Sequence, residues 1–218
     1  PAAQVLMSMY TEEGEPYPID PRNALQGIVD RYTAKGLNPV VAFELEFYLV
    51  DPAAFRRSGR MGKDEGPGPE QQHMYSLSEL RGQSDLFAEI RAAALAQNLP
   101  IDTIIKEAAP GQFEVNLKHR ADPMAAADDT VLLRRVISEC ADNRGLKATF
   151  MAKPFLEWPG NGMHVHASVL DDKGDNIFAG EEGDKRLQHA AAGLLSTLKD
   201  TLLFYIPSFN GYRRLQAG

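Results

Sequence analysis

Hydrophobic and polar positions alternate with the two-residue period of a β-strand in three stretches of this chain. In the first, Val41 to Val50, the residues Phe43, Leu45, Phe47 and Leu49 share one face, while Ala42, Glu44, Glu46 and Tyr48 share the other. Successive strand side chains point to opposite sides of a sheet, so both glutamates face the same way. The second stretch sets Phe113, Val115 and Leu117 against Gln112, Glu114, Asn116 and Lys118; the third sets Met163, Val165, Ala167 and Val169 against His164, His166 and Ser168. Each strand keeps an apolar face for a core and turns carboxylates or imidazoles to the opposite side.

Helical spacing fills the intervals. Asp20 before Pro21 reads as an N-cap with proline at the first helical position, and Leu25, Ile28, Val29 and Tyr32 predict a helix over 21–35, before Gly36. Ser78 to Asn98 predicts a helix with Leu86, Ile90, Ala93 and Leu95 inward, then a strand over Ile101 to Lys106 and a turn at Ala109-Pro110-Gly111. Asp122-Pro123 repeats the cap signal for a helix carrying Val131, Leu132, Val136 and Cys140 that stops near Gly145. A short strand from Ala148 to Met151 and the hairpin-like LDDKGDNIF follow. A last helix over 184–204 lines Leu187, Ala191, Leu194, Leu198 and Leu202 along one side, and Pro207 ends it. Residues 53–72, AAFRRSGRMGKDEGPGPEQQ, show no apolar period and many Gly, Pro and charged residues, which predicts a mobile excursion rather than a domain linker. Strands suited to antiparallel pairing, joined by helices without strict alternation, indicate the α+β class.

Composition narrows the function. At 218 residues the chain suits one large domain with a sizeable core. Its 23 Lys plus Arg against 30 Asp plus Glu, net −7, lack the basic footprint of a nucleic-acid binder and suit a site that collects cations. No apolar run reaches the roughly 20 residues of a membrane helix, and PAAQVLMSMY has no basic segment before an apolar one, so the reading is cytoplasmic with no membrane partner. Cys140, the single cysteine, excludes an internal disulfide or a thiolate-rich zinc site and reads as buried filler.

The polar faces carry the chemistry. Glu44, Glu46, Glu107, Glu114 and His164 together suggest a divalent-cation site floored by the sheet. Mg²⁺ and Mn²⁺ prefer carboxylate oxygens, with an imidazole more acceptable to Mn²⁺, whereas a structural zinc site wants thiolates or more histidines. Glutamates can merely decorate a solvated sheet, but decoration would not recur on three strands. Glycines in PGQFE and WPGNGMH let backbone approach a ligand closely.

At these residues the chain resembles the glutamine synthetase family. The runs FELEFYL, EAAPGQFEVNL, KPFLEWPGNGMHVHAS and PSFNGYRRL stand in the family's order, and the match extends over essentially the whole chain from MYTEEGEPYPIDPR. PGQFEVNL, YSLSEL and MAKPF look closest to the γ-glutamyl-polyamine synthetase branch, with ammonia open as the acceptor. The resemblance implies a curved antiparallel sheet whose concave face is the active site, with helices packed behind. It implies two Mg²⁺ or Mn²⁺ sites: Glu46, Glu107 and Glu114 on the cation of the amino-acid and acceptor side, Glu44 and His164 on the cation that bridges nucleotide phosphates.

It further implies Asn161 and Gly162 along the bound glutamate, Arg214 on its carboxylate, His166 and Ser168 on the ATP side, and Tyr75 at the amine pocket. From the residues alone, Arg213 is the alternative to Arg214, His166 can be a structural histidine, Asn161-Gly162 a tight turn, and Tyr75 a core residue. The implied reaction is ATP-dependent phosphorylation of the glutamate side chain, then displacement of phosphate by an amine. A relative that keeps the fold only for assembly or binding is the competing reading; the intact cluster of like charges favours the ligase. The family also carries a β-grasp domain before the catalytic domain and a further stretch after the YRRL region, so residues 1–218 read as a partial catalytic domain that lacks ligase activity alone. Its parent is expected as a ring-forming homo-oligomer, and the chain itself as a monomer or weak associate.

Overall fold

The element order in the computed structural model of the chain is α1 (Pro21–Thr33), β1 (Asn38–Val50), α2 (Leu77–Gly82), α3 (Ser84–Ala96), β2 (Ile101–Lys106), β3 (Gln112–Leu117), α4 (Pro123–Asp142), β4 (Lys147–Thr149), β5 (Met163–Leu170), α5 (Gly183–Tyr205) and α6 (Phe209–Leu215). The structure describes residues 3–52 and 73–215, so the excursion expected over 53–72 lies outside the described residues. Among the described residues no helix is long and apolar enough to cross a membrane.

β1 is the axis of a five-stranded antiparallel sheet. β3 pairs with it along one edge, from Glu44↔Asn116 to Tyr48↔Gln112, and β2 lies outside β3. Along the other edge β1 changes partner: β5 runs from Asn38↔Leu170 to Leu45↔Met163, and β4 takes over at Tyr48↔Thr149. Between these ladders the Glu46 N–H donates to the Gly162 carbonyl at 3.3 Å. The break lets the 152–162 loop reach the sheet beside a carboxylate.

The alternation foreseen in β1 and β3 is realised. Leu45, Phe47, Phe113, Val115 and Leu117 form one core face, covered by Leu86, Phe87, Ile90 and Ala94 of α3 and by Leu133, Val136, Ile137 and Cys140 of α4. Burying each of the larger side chains contributes roughly 1.5–3 kcal/mol. Phe87 meets Phe113 edge-on at a centroid distance of 5.0 Å, a preferred aromatic geometry. The opposite face carries the glutamates at one end and a second apolar cluster, Tyr48, Ala109, Phe155 and Trp158, at the other.

Several helical expectations are corrected. The helix foreseen over 78–98 is two helices: Ser76 caps α2, Gln83 interrupts, and Ser84-Asp85 begin α3. Its core face is set by Leu86, Ile90 and Ala94, each four residues apart, which turns Leu95 outward at 76% exposure. On α4 the inward row holds Leu133 and leaves Val131 half-exposed. α5 forms where expected, but Gly183 alone is buried on it, and its Leu187, Leu194 and Leu198 remain open to solvent. Met163 and Val165 on the apolar face of β5 are likewise uncovered. α6 was not foreseen.

Candidate active site

Three strands bring the acidic and imidazole side chains together. Pairing sets Glu46 directly opposite Glu114, and Glu44 between Asn116 and His164. Ligand atoms of Glu44, Glu114 and His164 all lie within 4.8 Å of one another. The His164 Nδ1 sits 3.0 Å from Glu44 Oε2 and 3.9 Å from Glu46 Oε1, and the His166 Nε2 sits 2.9 Å from Glu44 Oε1. Asn116 Nδ2 also donates to Glu44 Oε1 at 3.3 Å. Glu46 and Glu114 are buried, and Glu44 is partly so.

Like charges directly opposite across a ladder are destabilising, and here they are also withdrawn from water. Burial pushes the Glu114 carboxyl up to about 7, with Glu44, Glu107 and Glu46 adding to it. Burial, then the Glu46 charge, raises Glu107 as well, while Lys106 and His164 oppose the rise. Such carboxylates regain their charge most easily with a cation among them. Asn116 Oδ1 is a buried acceptor without a hydrogen-bond partner. It lies beside the same cluster and is free to accept from a coordinated water or an ammonium group. The donor set, glutamates with imidazole and amide oxygen, suits Mg²⁺ or Mn²⁺.

The loop from 152 to 162 closes one side. Gly162 N–H donates to Glu46 Oε2 at 2.9 Å, and a Cβ at Gly162 would stand 3.1 Å from Glu46 Oε1 and 3.3 Å from Arg214 Nη2. Glycine here keeps open the strip between a carboxylate and a guanidinium. Arg214 lies flat against Gly160, whose missing Cβ would meet Arg214 Cγ and Cδ at 2.9 Å. Arg213 instead stacks over Phe209 at 5.0 Å, which favours Arg214 as the residue facing the site. Asn161 is buried and its side chain is spent within the protein: Nδ2 donates to the Thr149 and Met151 carbonyls, and Oδ1 accepts from Gln112 Nε2 at 3.1 Å. Any contact it makes with a ligand is through its backbone. Ser168 lies two residues beyond His166 on β5, opposite Val40, at the far end of the polar face from Glu46. Tyr75 is exposed and holds a left-handed backbone, φ 61.

Three residues to which the sequence assigns no role help build the site. Gln112 ties the turn before β3 to the 152–162 loop, accepting from the Ala109 N–H at 3.3 Å and donating to Gly160 O and Asn161 Oδ1, each at 3.1 Å. Asn116 contacts Glu44, and Lys106 is wholly buried at the end of β2. Gln112 and Asn116 stand on the polar face that the alternation predicts, but an amide there does not announce its partner, and the single lysine ending β2 leaves no periodic signal. Only the presence of lysine after Ile104-Ile105 hinted that something inside must receive a charge.

A profile of the glutamine synthetase catalytic domain matches residues 18–218. Gamma-glutamylputrescine synthetase PuuA of Escherichia coli strain K12 is 36% identical over 221 residues, covering 99% of this chain and 47% of that protein. Glutamate–isopropylamine ligase of Pseudomonas sp. is 32% identical over 216 residues, covering 97% and 47%. Among solved structures, apo GmaS without ligand superposes with a TM-score of 0.81 at 31% identity, covering 94% of this chain and 48% of that one. The chain thus spans about half the length of the curated relatives it matches. An open antiparallel sheet with a carboxylate-lined face, helices behind it, and sequence matches from end to end lead to one conclusion: the chain belongs to the glutamine synthetase catalytic-domain family.

Proposed function

We propose that this chain supplies the glutamate- and metal-binding face of an ATP-dependent ligase that joins an amine to the side-chain carboxyl of glutamate. The observation that carries the reading is the buried pair Glu46 and Glu114, set opposite each other within reach of Glu44 and His164. An arrangement so costly in like charge makes physical sense when divalent cations occupy it. Its relatives' names include a putrescine synthetase and an isopropylamine ligase, which supports an amine acceptor.

Glu46, Glu107 and Glu114 would hold one Mg²⁺ or Mn²⁺, and Glu44 with His164 a second. Such ions neutralise the meeting anions and the charge that builds on a transferred phosphoryl group. The chain's own residues do the rest. Arg214, backed by Gly160, would hold the α-carboxylate of glutamate, and the open strip at Gly162 would admit its side chain. Backbone of Asn161 and Gly162 would run along the bound amino acid, while His166 and Ser168 would face ATP. A side-chain carboxylate oxygen of glutamate attacks the terminal phosphorus of ATP, the bridging P–O bond breaks, and ADP leaves. The amine nitrogen then attacks the acyl carbon, the C–O bond to phosphate breaks, and the nitrogen loses a proton to a nearby base. Tyr75 would help form the pocket for that amine.

An amine panel of ammonia, putrescine, spermidine and ethanolamine tests the reading on the enzyme that carries this chain. ATP-dependent γ-glutamyl amide formation with at least one of them is expected. Turnover with none, by protein that binds Mn²⁺ and ATP, would remove the ligase assignment.

A further inference from the structure

We propose that Lys106 is a positioning residue of this site, a buried ammonium that fixes the turn carrying Glu107 and the segment carrying Tyr75 to one another. It is wholly buried, and lysines are almost never so unless paired. Three acceptors converge on its Nζ: the carbonyl of Glu107, the carbonyl of Ala109 at 2.6 Å, and Glu79 Oε2 at 3.5 Å. The ring of Phe113 lies beneath, 5.9 Å from Nζ to the centroid.

Each partner has a consequence for the site. Nζ takes the carbonyl of Glu107, which fixes that residue's backbone and leaves its carboxylate out of the contact. The turn is held from the other side as well, because Glu107 N–H donates to Gln112 O at 2.9 Å and Gln112 N–H to Ala109 O at 3.0 Å. Glu79 belongs to α2, which begins two residues after Tyr75. Tyr75 N–H donates to the Lys106 carbonyl at 3.0 Å. One residue therefore anchors the tyrosine segment twice, through its own backbone and through Glu79. Tyr75 holds a left-handed conformation, which a residue with a β-carbon keeps only where its surroundings impose it. Lys106 provides that surrounding and joins it to a metal-ligand turn. No apolar residue of equal volume could satisfy these acceptors, and the Glu107 and Ala109 carbonyls would lose their donor.

The inference rests on the proposed function for its consequence at the metal, and its geometry is tested without metal. In the metal-free chain, Lys106→Met is expected to speed amide exchange at Tyr75, Glu107 and Gln112 by about tenfold or more, leaving the β1–β5 ladder unchanged. Glu79→Gln, a milder change, should speed Tyr75 alone. Unchanged exchange at these amides in both variants overturns the proposal, as does a uniform rise across the sheet. Mn²⁺ titration of wild type, Lys106→Met, Glu107→Gln and the double variant then reads the link to the site. About tenfold weaker binding from Lys106→Met, with no further loss once Glu107 is changed, supports positioning through Glu107. Losses that multiply independently overturn it. Local acceleration of exchange with no Mn²⁺ binding by wild type would sustain the pin and remove the metal reading instead.

Discussion

At the scale of single residues, the site is a set of carboxylates held where they repel. Glu114 shows it most clearly, because its carboxyl titrates near 7 when folded, well above its ordinary 4.5. The folded chain therefore binds that proton more tightly than the unfolded one, and Glu114 costs nothing below about pH 4.5. Its cost grows as pH rises through about 7 and is constant beyond. A rise from 4.5 to about 7 corresponds to about 3 kcal/mol. The melting temperature of the metal-free chain should therefore fall across this window, and Glu114→Gln should flatten the fall and raise stability at pH 8. Saturating Mn²⁺ should do the same for wild type, with affinity rising as pH passes 7. A metal-free chain whose stability is independent of both pH and Glu114 would contradict this. Gly162→Ala makes a separate prediction, since the new methyl would press on Glu46 Oε1 from 3.1 Å. Weaker Mn²⁺ binding with little change in melting temperature is expected, measured by titration and calorimetry.

At the scale of elements, the sheet positions the site and the helices hold the sheet. Leu133 is fully buried between α4 and the sheet, so Leu133→Ala should cost roughly 2–5 kcal/mol in denaturant unfolding. Removing the α4 cap, Asp122→Ala, loses the acceptor of the Ala125 N–H and should cost about 1 kcal/mol. The strands were legible in the sequence because a period of two decides both faces at once. Given Phe43 to Leu49 in the core, Glu44 and Glu46 had to share the other side. Glu44, Glu114 and His164 could be grouped for that reason, and the β1–β3 and β1–β5 registers do bring them together. Helix faces were less legible. A helix rich in alanine and leucine offers several apolar stripes, and tertiary packing chose Ala94 over Leu95 and Leu133 over Val131. Lys106 and Gln112 stayed hidden because their importance lies in backbone carbonyls, of the adjoining turn for Lys106 and of a distant loop for Gln112, which no side-chain pattern announces.

At the scale of the whole molecule, the chain has one well-covered face and one open end. α3 and α4 close the core side, while α5 shows Leu187, Leu194 and Leu195, and Phe204 is 81% exposed. Apolar surface of that extent marks a contact face. The isolated chain should accordingly sediment with a concentration-dependent mass, and a Leu194→Gln, Leu198→Gln variant should sediment as a monomer without loss of melting temperature. The carboxylate cluster is drawn from β1, β3 and β5 and includes no residue of α5. The central claim, that this face is built for divalent metal, is tested most directly by titrating the folded, metal-free chain with Mn²⁺ and reading free Mn²⁺ by electron paramagnetic resonance. Binding below millimolar Mn²⁺, weakened about tenfold or more by Glu114→Ala, is the result predicted, each tenfold being about 1.4 kcal/mol. No binding at millimolar Mn²⁺, or affinity unaffected by Glu114→Ala, would contradict it.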